Sequence, residues 1–113
     1  MTVRSKHVVV MVTAPNLRTA RKLAGKALEA RVAACANLVP GIESHYWWQK
    51  KLERSSEVLI VFKTRSGLAK RLERVVLEHH PYDTPEVIFL PVQGGNQQYL
   101  NWIDSSTEAP PPA

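Results

Sequence analysis

The strongest constraint on this chain is the run ACANLVPGIESHYWW at residues 34–48, which has no helical period and is followed by a second apolar run, Glu57–Thr64 (EVLIVFKT). Read as an extended strand, residues 34–48 span on the order of 50 Å at about 3.3 Å per residue. A compact chain of 113 residues has a radius of gyration of about 13 Å, so a sphere of that kind is roughly 34 Å across. The two runs therefore predict a hairpin that overhangs its own globule. Its far end carries Tyr46, Trp47 and Trp48, the heaviest aromatic cluster in the sequence. An isolated two-stranded ribbon is marginal in water, and an uncovered aromatic end is an apolar patch. Another copy of the chain is the simplest cover, so these three aromatics are expected at a subunit contact and the protein is expected to be a homo-oligomer. Stacking of single-stranded nucleic acid on them is disfavoured, because no basic residue interleaves with the rings.

The rest of the sequence supplies a domain around that ribbon. His7–Ala14 (HVVVMVTA) is β-branched and apolar on both faces, which predicts a strand in the middle of a sheet. Asn16 is placed to cap a helix in which Leu17, Ala20, Leu23, Ala24, Ala27 and Leu28 share one arc, while Arg18, Arg21, Lys22 and Lys26 fall on the other. Pro40-Gly41 predicts a bend or bulge in the long strand. Gln49–Arg54 reads as a polar turn, with the next strand starting nearer Leu52 than Glu57. Ser66 is expected to cap a second helix with Leu68, Leu72 and Val75 in line, closed by Pro81. Thr84–Val92 reads as a fourth strand, and Asn96–Ile103 as a short terminal helix after Gly94-Gly95.

The order βαββαβ predicts an α+β, ferredoxin-like fold with a four-stranded antiparallel sheet and both crossover helices on one face. Residues 1–6 read as a flexible arm, 7–104 as the single domain, and 105–113 as a disordered proline-rich tail.

Composition narrows the function classes. A hydrophobic fraction of 44% with 22% charged residues is that of a globular protein rather than a disordered chain. No apolar run approaches the roughly 20 residues that cross a bilayer, and no leader-like segment opens the sequence, so a membrane partner is not expected. Cys35 is the only cysteine, which excludes an intrachain disulfide and any zinc site built on two thiolates of one chain. A reducing, cytoplasmic location is the expectation. The net charge of +5 is uneven: residues 1–56 hold 10 Lys/Arg against 3 Asp/Glu, and residues 57–113 hold 5 against 7. A basic half attracts anions or nucleic acid, or is simply solvated surface; nonspecific nucleic-acid binding would reveal itself by steep salt dependence.

Chemistry-bearing residues are few. His7 and His45 stand alone and read as structural or surface residues, and Cys35, flanked by alanines, reads as a small hydrophobe. His79-His80 is the candidate metal pair. Helical neighbours point about 100° apart, so the two do not readily grip one ion while the helix stays regular; two imidazoles from one chain make an incomplete site, and further ligands must come from elsewhere or from a neighbouring subunit. Copper(II) accepts imidazole readily. Asp83 and Glu86 flank Thr84-Pro85 as a turn feature. Phosphate-loop, dinucleotide-fingerprint, nucleophile-elbow and zinc-protease patterns are all missing from the sequence, and no enzymatic activity is expected.

The segments VVVMVTAPN, AACANLVPGIESHYWWQKKLERSSEVLIVFKT and HPYDTPEVIFLPVQGGNQQYLNWI together resemble the divalent-cation tolerance protein CutA family, from His7 to Ile103. The resemblance implies tight homotrimers of ferredoxin-like subunits with hairpins wrapped around neighbours, and a role in tolerance of copper and other divalent ions. It also implies a copper site in some bacterial members that joins two consecutive histidines before a PY pair, matched by His79 and His80, to a first-strand thiol. The thiol position aligns with Val12 here. A cleft between subunits near Glu57, Lys63, Tyr82 and Glu86 is implied as well. The expected function is thus a trimeric, cytosolic copper-binding tolerance protein, with Cu(2+) or another divalent cation as ligand and no organic cofactor. The alternative is a trimeric signalling or interaction module that binds a small anionic ligand in its clefts.

Overall fold

The run His7–Ala14 forms β1 and occupies an inner position of the sheet, as its apolar character on both faces requires. The computed structural model describes residues 5–108. Their order is β1 (His7–Ala14), α1 (Leu17–Glu29), β2 (Cys35–Trp48), β3 (Lys51–Arg65), a 3-10 turn (Ser66–Leu68), α2 (Ala69–His79), β4 (Val87–Val92) and α3 (Gln97–Ser106). The four strands make one antiparallel sheet ordered β2-β3-β1-β4. This is the expected ferredoxin-like α+β plan, and it leaves both strand prolines, Pro40 and Pro91, on edge strands where a missing ladder donor is tolerated.

Strand alternation divides the sheet into two faces. Val8, Val10, Val12 and Ala14 pair with Thr64, Phe62, Ile60 and Val58, and all eight are buried. Their apolar members pack with Ala20, Leu23 and Ala27 of α1 and with Ala69, Leu72 and Val76 of α2 in one core. Burying each of Phe62, Ile60, Leu72 and Leu23 contributes about 1.5–3 kcal/mol. The one hydroxyl in this set, on Thr64, donates to the Val32 carbonyl at 2.8 Å and so ties β3 to the loop after α1.

The first helix begins where the Asn16 side chain accepts the Thr19 N–H at 2.8 Å. It ends in a Schellman motif: the Val32 N–H reaches the Ala27 carbonyl at 3.1 Å and the Arg31 N–H that of Leu28 at 3.0 Å. Arg31 occupies the left-handed position, φ 60°, that usually belongs to glycine.

The hairpin overhangs as expected. The principal extents are 47 × 41 × 21 Å and the radius of gyration is 15.1 Å, above the roughly 13 Å of a compact chain of this length. Pro40-Gly41 forms the expected bulge: β2 advances from Val39 to Ile42 while β3 advances only from Leu59 to Glu57, and Gly41 takes φ 73°. The extra residue swaps the strand's faces, so that Ile42, Ser44, Tyr46 and Trp48 pair with Glu57, Ser55, Glu53 and Lys51.

Several boundaries differ from the sequence expectation. The polar stretch Gln49–Arg54 is not a long turn: Gln49 and Lys50, at φ 49° and 65°, make a two-residue turn, and β3 pairs from Lys51 onward. Lys51–Arg54 lack strand-like hydrophobicity because this part of the ribbon packs on nothing within its own chain. Ser66 does not cap a helix. Its hydroxyl donates to the Ser5 carbonyl at 2.6 Å, and the tighter 3-10 winding that follows turns the buried arc of α2 to Ala69, Leu72 and Val76 rather than Leu68, Leu72 and Val75. Residues 81–86 are loop, so β4 starts at Val87 and not at Thr84. The expected disordered tail also starts too early. Helix α3 continues to Ser106, and Thr107 is 3% exposed, donating its hydroxyl to the Ile103 carbonyl at 2.9 Å. Within the expected arm, Ser5 and Lys6 are pinned through their carbonyls to Ser66. Residues 1–4 and 109–113 lie outside the described residues.

Among the described residues, the second face of the sheet is covered only at one end, by α3. There His7 bonds Asp104 at 2.8 Å, Tyr99 lies 3.7 Å from the Cys35 sulfur, and Arg65 donates to Thr107. Elsewhere this face is apolar and open, with Val39, Ile88 and Leu90 each more than two-fifths exposed.

Candidate functional site

The site is built where the bulged ribbon, the end of β1 and the loop after α2 meet. Because the bulge turns Tyr46 and Trp48 to the face of Glu57, the hairpin end walls a cavity of about 810 Å³ whose floor includes Thr13 and Glu57 and whose other wall is Tyr82–Glu86. The cleft wall carries three carboxylates, Glu57, Asp83 and Glu86, and among the described residues neither lysine nor arginine lines it.

A hydrogen-bonded chain fixes its inner side. His80, at the end of α2, has its Nε2 at 2.7 Å from the Thr13 carbonyl, and its Nδ1 accepts the Tyr82 N–H at 3.1 Å. A ring nitrogen facing a carbonyl must donate and one facing an N–H must accept, so the imidazole is held as the Nε2–H tautomer. Its ring lies 4.7 Å from that of Tyr82. The Tyr82 hydroxyl in turn donates to Glu57 Oε2 at 2.9 Å. Glu57 is 8% exposed, an unusual burial for a carboxylate, and this phenol is its donor.

Electrostatics follow from that geometry. The Tyr82 hydroxyl is pushed up to about 12, first by burial and then by its bond to Glu57 and the charge behind it. Glu86 is raised above the ordinary carboxylate range by burial first and by the Glu57 charge second. The cleft thus holds more negative charge than it neutralises.

The expected site residues divide accordingly. Glu57, Tyr82 and Glu86 come together in the cleft, and Tyr46, Trp47 and Trp48 join them on the ribbon wall. Lys63 does not: it lies six residues further along β3, roughly 20 Å away, with its ammonium on Asn37. His79 and His80 part company. His80 is engaged at both nitrogens, whereas His79 has a side chain 28% exposed with Nε2 4.0 Å from Glu78. Val12, at the position of the thiol implied by the resemblance, is fully buried and faces the helix layer. Among the described residues no group of three or more His, Cys, Asp or Glu side chains converges to hold a metal ion. These residues do not fit a copper site within one chain. Cys35 is half-buried rather than fully buried, and His7 and His45 each bond a carboxylate, Asp104 and Glu43. The residue that sequence reasoning missed is Thr13, whose backbone carbonyl orients His80; only the register of β1 could have pointed to it.

The profile of the family described as CutA1 divalent ion tolerance protein matches residues 8–106. The chain belongs to that family. Among relatives of this CutA chain, the chloroplastic protein CutA 1 of Oryza sativa subsp. japonica is 48% identical over 100 residues, 88% of this chain and 56% of the relative. The divalent-cation tolerance protein CutA of Pectobacterium atrosepticum is 44% identical over 99 residues, 88% of this chain and 90% of the relative. The chain therefore spans little more than half the length of the chloroplastic relative and nearly all of the bacterial one. The crystal structure of CutA1 from Oryza sativa superposes with a TM-score of 0.89 at 46% identity, covering 92% of this chain and 95% of that one. Among the described residues of this CutA member, no helix is long and apolar enough to cross a membrane.

Proposed function

We propose that the protein acts in divalent-cation tolerance as a cytosolic homotrimer, and that the cation is taken up in the cleft beside Glu57 rather than by the His79-His80 pair. The observation that carries this reading is the excess carboxylate charge of the cleft: burial first and the Glu57 charge second raise Glu86, and among the described residues neither a lysine nor an arginine lines the cavity to balance them. Two carboxylates with hydroxyl oxygens around them suit a cation that keeps part of its water shell, which favours an oxygen-seeking divalent ion over copper(I). The trimer is supported by the overhanging ribbon and by the open apolar face of the sheet, which copies of the chain would cover. The single cysteine suits a reducing compartment.

Calorimetric titration with manganese(II) and copper(II) tests the site. Glu57→Gln and Glu86→Gln are expected to weaken manganese(II) binding about tenfold, the value of a charge-assisted contact, while His79→Ala leaves it unchanged. Loss of binding in His79→Ala with retention in both carboxylate variants would return the site to the imidazole pair. The alternative of a small anionic ligand is not favoured in this cleft, whose walls repel one.

A further inference from the structure

The cationic counterpart of that cleft lies where β3 ends. A second cavity, of about 460 Å³, is lined by Lys6, Arg65, Ser66, Gly67, Leu68 and Arg71. The three cations come from three elements: the residue before β1, the last residue of β3 and the first turn of α2. Among the described residues no carboxylate lines the cavity and none of the three cations is in a salt bridge. Eight residues of strand, roughly 26 Å, separate Arg65 from Glu57, so this is not the cleft described above.

The pocket is held in shape by bonds that do not consume its charge. Arg65 donates through Nε to the Thr107 hydroxyl at 2.8 Å and through one terminal nitrogen to the Thr107 carbonyl at 3.0 Å, which fixes the guanidinium plane and leaves the other terminal nitrogen. The Ser66 N–H bonds the Lys6 carbonyl at 2.9 Å, and the Ser66 hydroxyl bonds the Ser5 carbonyl. Lys6 is thereby fastened beside the junction of β3 and α2. Lys6, Arg65 and Arg71 line one cavity, Arg65 keeps one terminal nitrogen unspent, and the groups they carry match phosphate oxygens in charge and as donors.

We propose that this pocket binds a small phosphate-bearing anion. The volume falls in the range of small-ligand sites, and phosphate is an anion that guanidinium and ammonium groups bind readily.

The test is titration of the full chain with inorganic pyrophosphate at low salt, read by calorimetry and by amide chemical shifts. The expected result is saturable binding, one per chain, with a Kd of about 1 mM or tighter and shifts centred on Gly67 and Leu68. Arg71→Gln is expected to weaken it about tenfold. Gly67 offers a cleaner probe, because a Cβ built there meets nothing within 4 Å. Gly67→Ala should bind like wild type and Gly67→Glu should not bind, with melting temperatures unchanged in both. Glu57→Gln should leave pyrophosphate binding intact, which separates this proposal from the cleft reading. Absence of saturation, or wild-type binding in both Gly67→Glu and Arg71→Gln, would overturn it. So would tighter binding of a short single-stranded oligonucleotide at the same amides, which would make the patch a nucleic-acid surface.

Discussion

The bond from Tyr82 to Glu57 is the contact on which the cleft most depends, and Tyr82→Phe isolates it. The ring volume is kept, so packing on His80 at 4.7 Å survives, and only the 2.9 Å donor to Glu57 is lost. A hydrogen bond to a charged group is worth about 1.5–3 kcal/mol when its loss leaves that group buried without a donor. Glu57 is 8% exposed, which argues for a full effect, but Tyr82 is 38% exposed, so water reaches the gap and the lower end applies. The expected destabilisation at neutral pH is therefore about 1.5 kcal/mol, roughly tenfold in the unfolding equilibrium.

Linkage gives the same bond a pH signature. The folded protein holds the phenolic proton more tightly than the unfolded chain, since Tyr82 rises from 10.0 to about 12. Stability from this bond is fully present below pH 10 and is lost as pH climbs toward about 12. Urea unfolding across that window should show a steeper alkaline loss in wild type than in Tyr82→Phe, so the two curves converge. Glu57→Gln in the Tyr82→Phe background should restore part of the loss, because it removes the carboxylate left without a donor, giving a coupling of about 1 kcal/mol. A Tyr82→Phe protein as stable as wild type, or strictly additive double-variant energies, would refute the reasoning.

Glu86→Gln is expected to stabilise the protein at neutral pH by less than about 1 kcal/mol, given the solvent around this side chain. Its folded carboxyl titrates above 4.5, so the cost is present above that folded value and disappears as pH falls through 4.5; acid unfolding curves of the two proteins should merge there. Arg31→Gly should raise urea stability by about 0.5–1 kcal/mol by relieving a Cβ at φ 60°, less whatever the 3.3 Å bond from Arg31 to the Ser106 carbonyl contributes; a loss of stability would show that bond to dominate. Leu90→Glu places a charge on the open apolar face, and sedimentation velocity at micromolar concentration should find the proposed trimer of the parent chain replaced by monomer, whereas an unchanged sedimentation coefficient would move the subunit contact elsewhere.

The fold was legible because its determinants are local. Apolar runs in β1 and β3, the alanine-rich arc of α1, the Asn16 cap and the Pro40-Gly41 bulge each announce themselves within a few residues. The errors fall where a distant contact decides. Ser66 looks like a helix cap until the Ser5 carbonyl claims its hydroxyl, and the 3-10 winding that results rotates α2 by a fraction of a turn. Lys51–Arg54 read as a turn because a strand that packs on nothing in its own chain carries no hydrophobic alternation. Ser105–Thr107 read as a tail because the partner that orders Thr107 is Arg65, some forty residues away.

The candidate site was only half legible for the same reason. Tyr82 and Glu86 are neighbours in sequence, and Glu57 joins them through sheet geometry that the resemblance, not the periodicity, supplied. What no reading of the residues could fix was the state of His80. An imidazole beside another imidazole invites a metal until its two nitrogens are seen to be spent, one on a β1 carbonyl and one on the Tyr82 amide. With that, the histidine changes role: it is the strut that aims Tyr82 at Glu57, and the charge available to a ligand resides on the carboxylates. The same strand carries the acidic cleft beside Glu57, near its middle, and the proposed basic pocket beside Arg65, where it ends. A chain with a net charge of +5 thus carries cavities of contrasting sign, and on both proposals the sign of the ligand is set by position along β3 rather than by the overall charge.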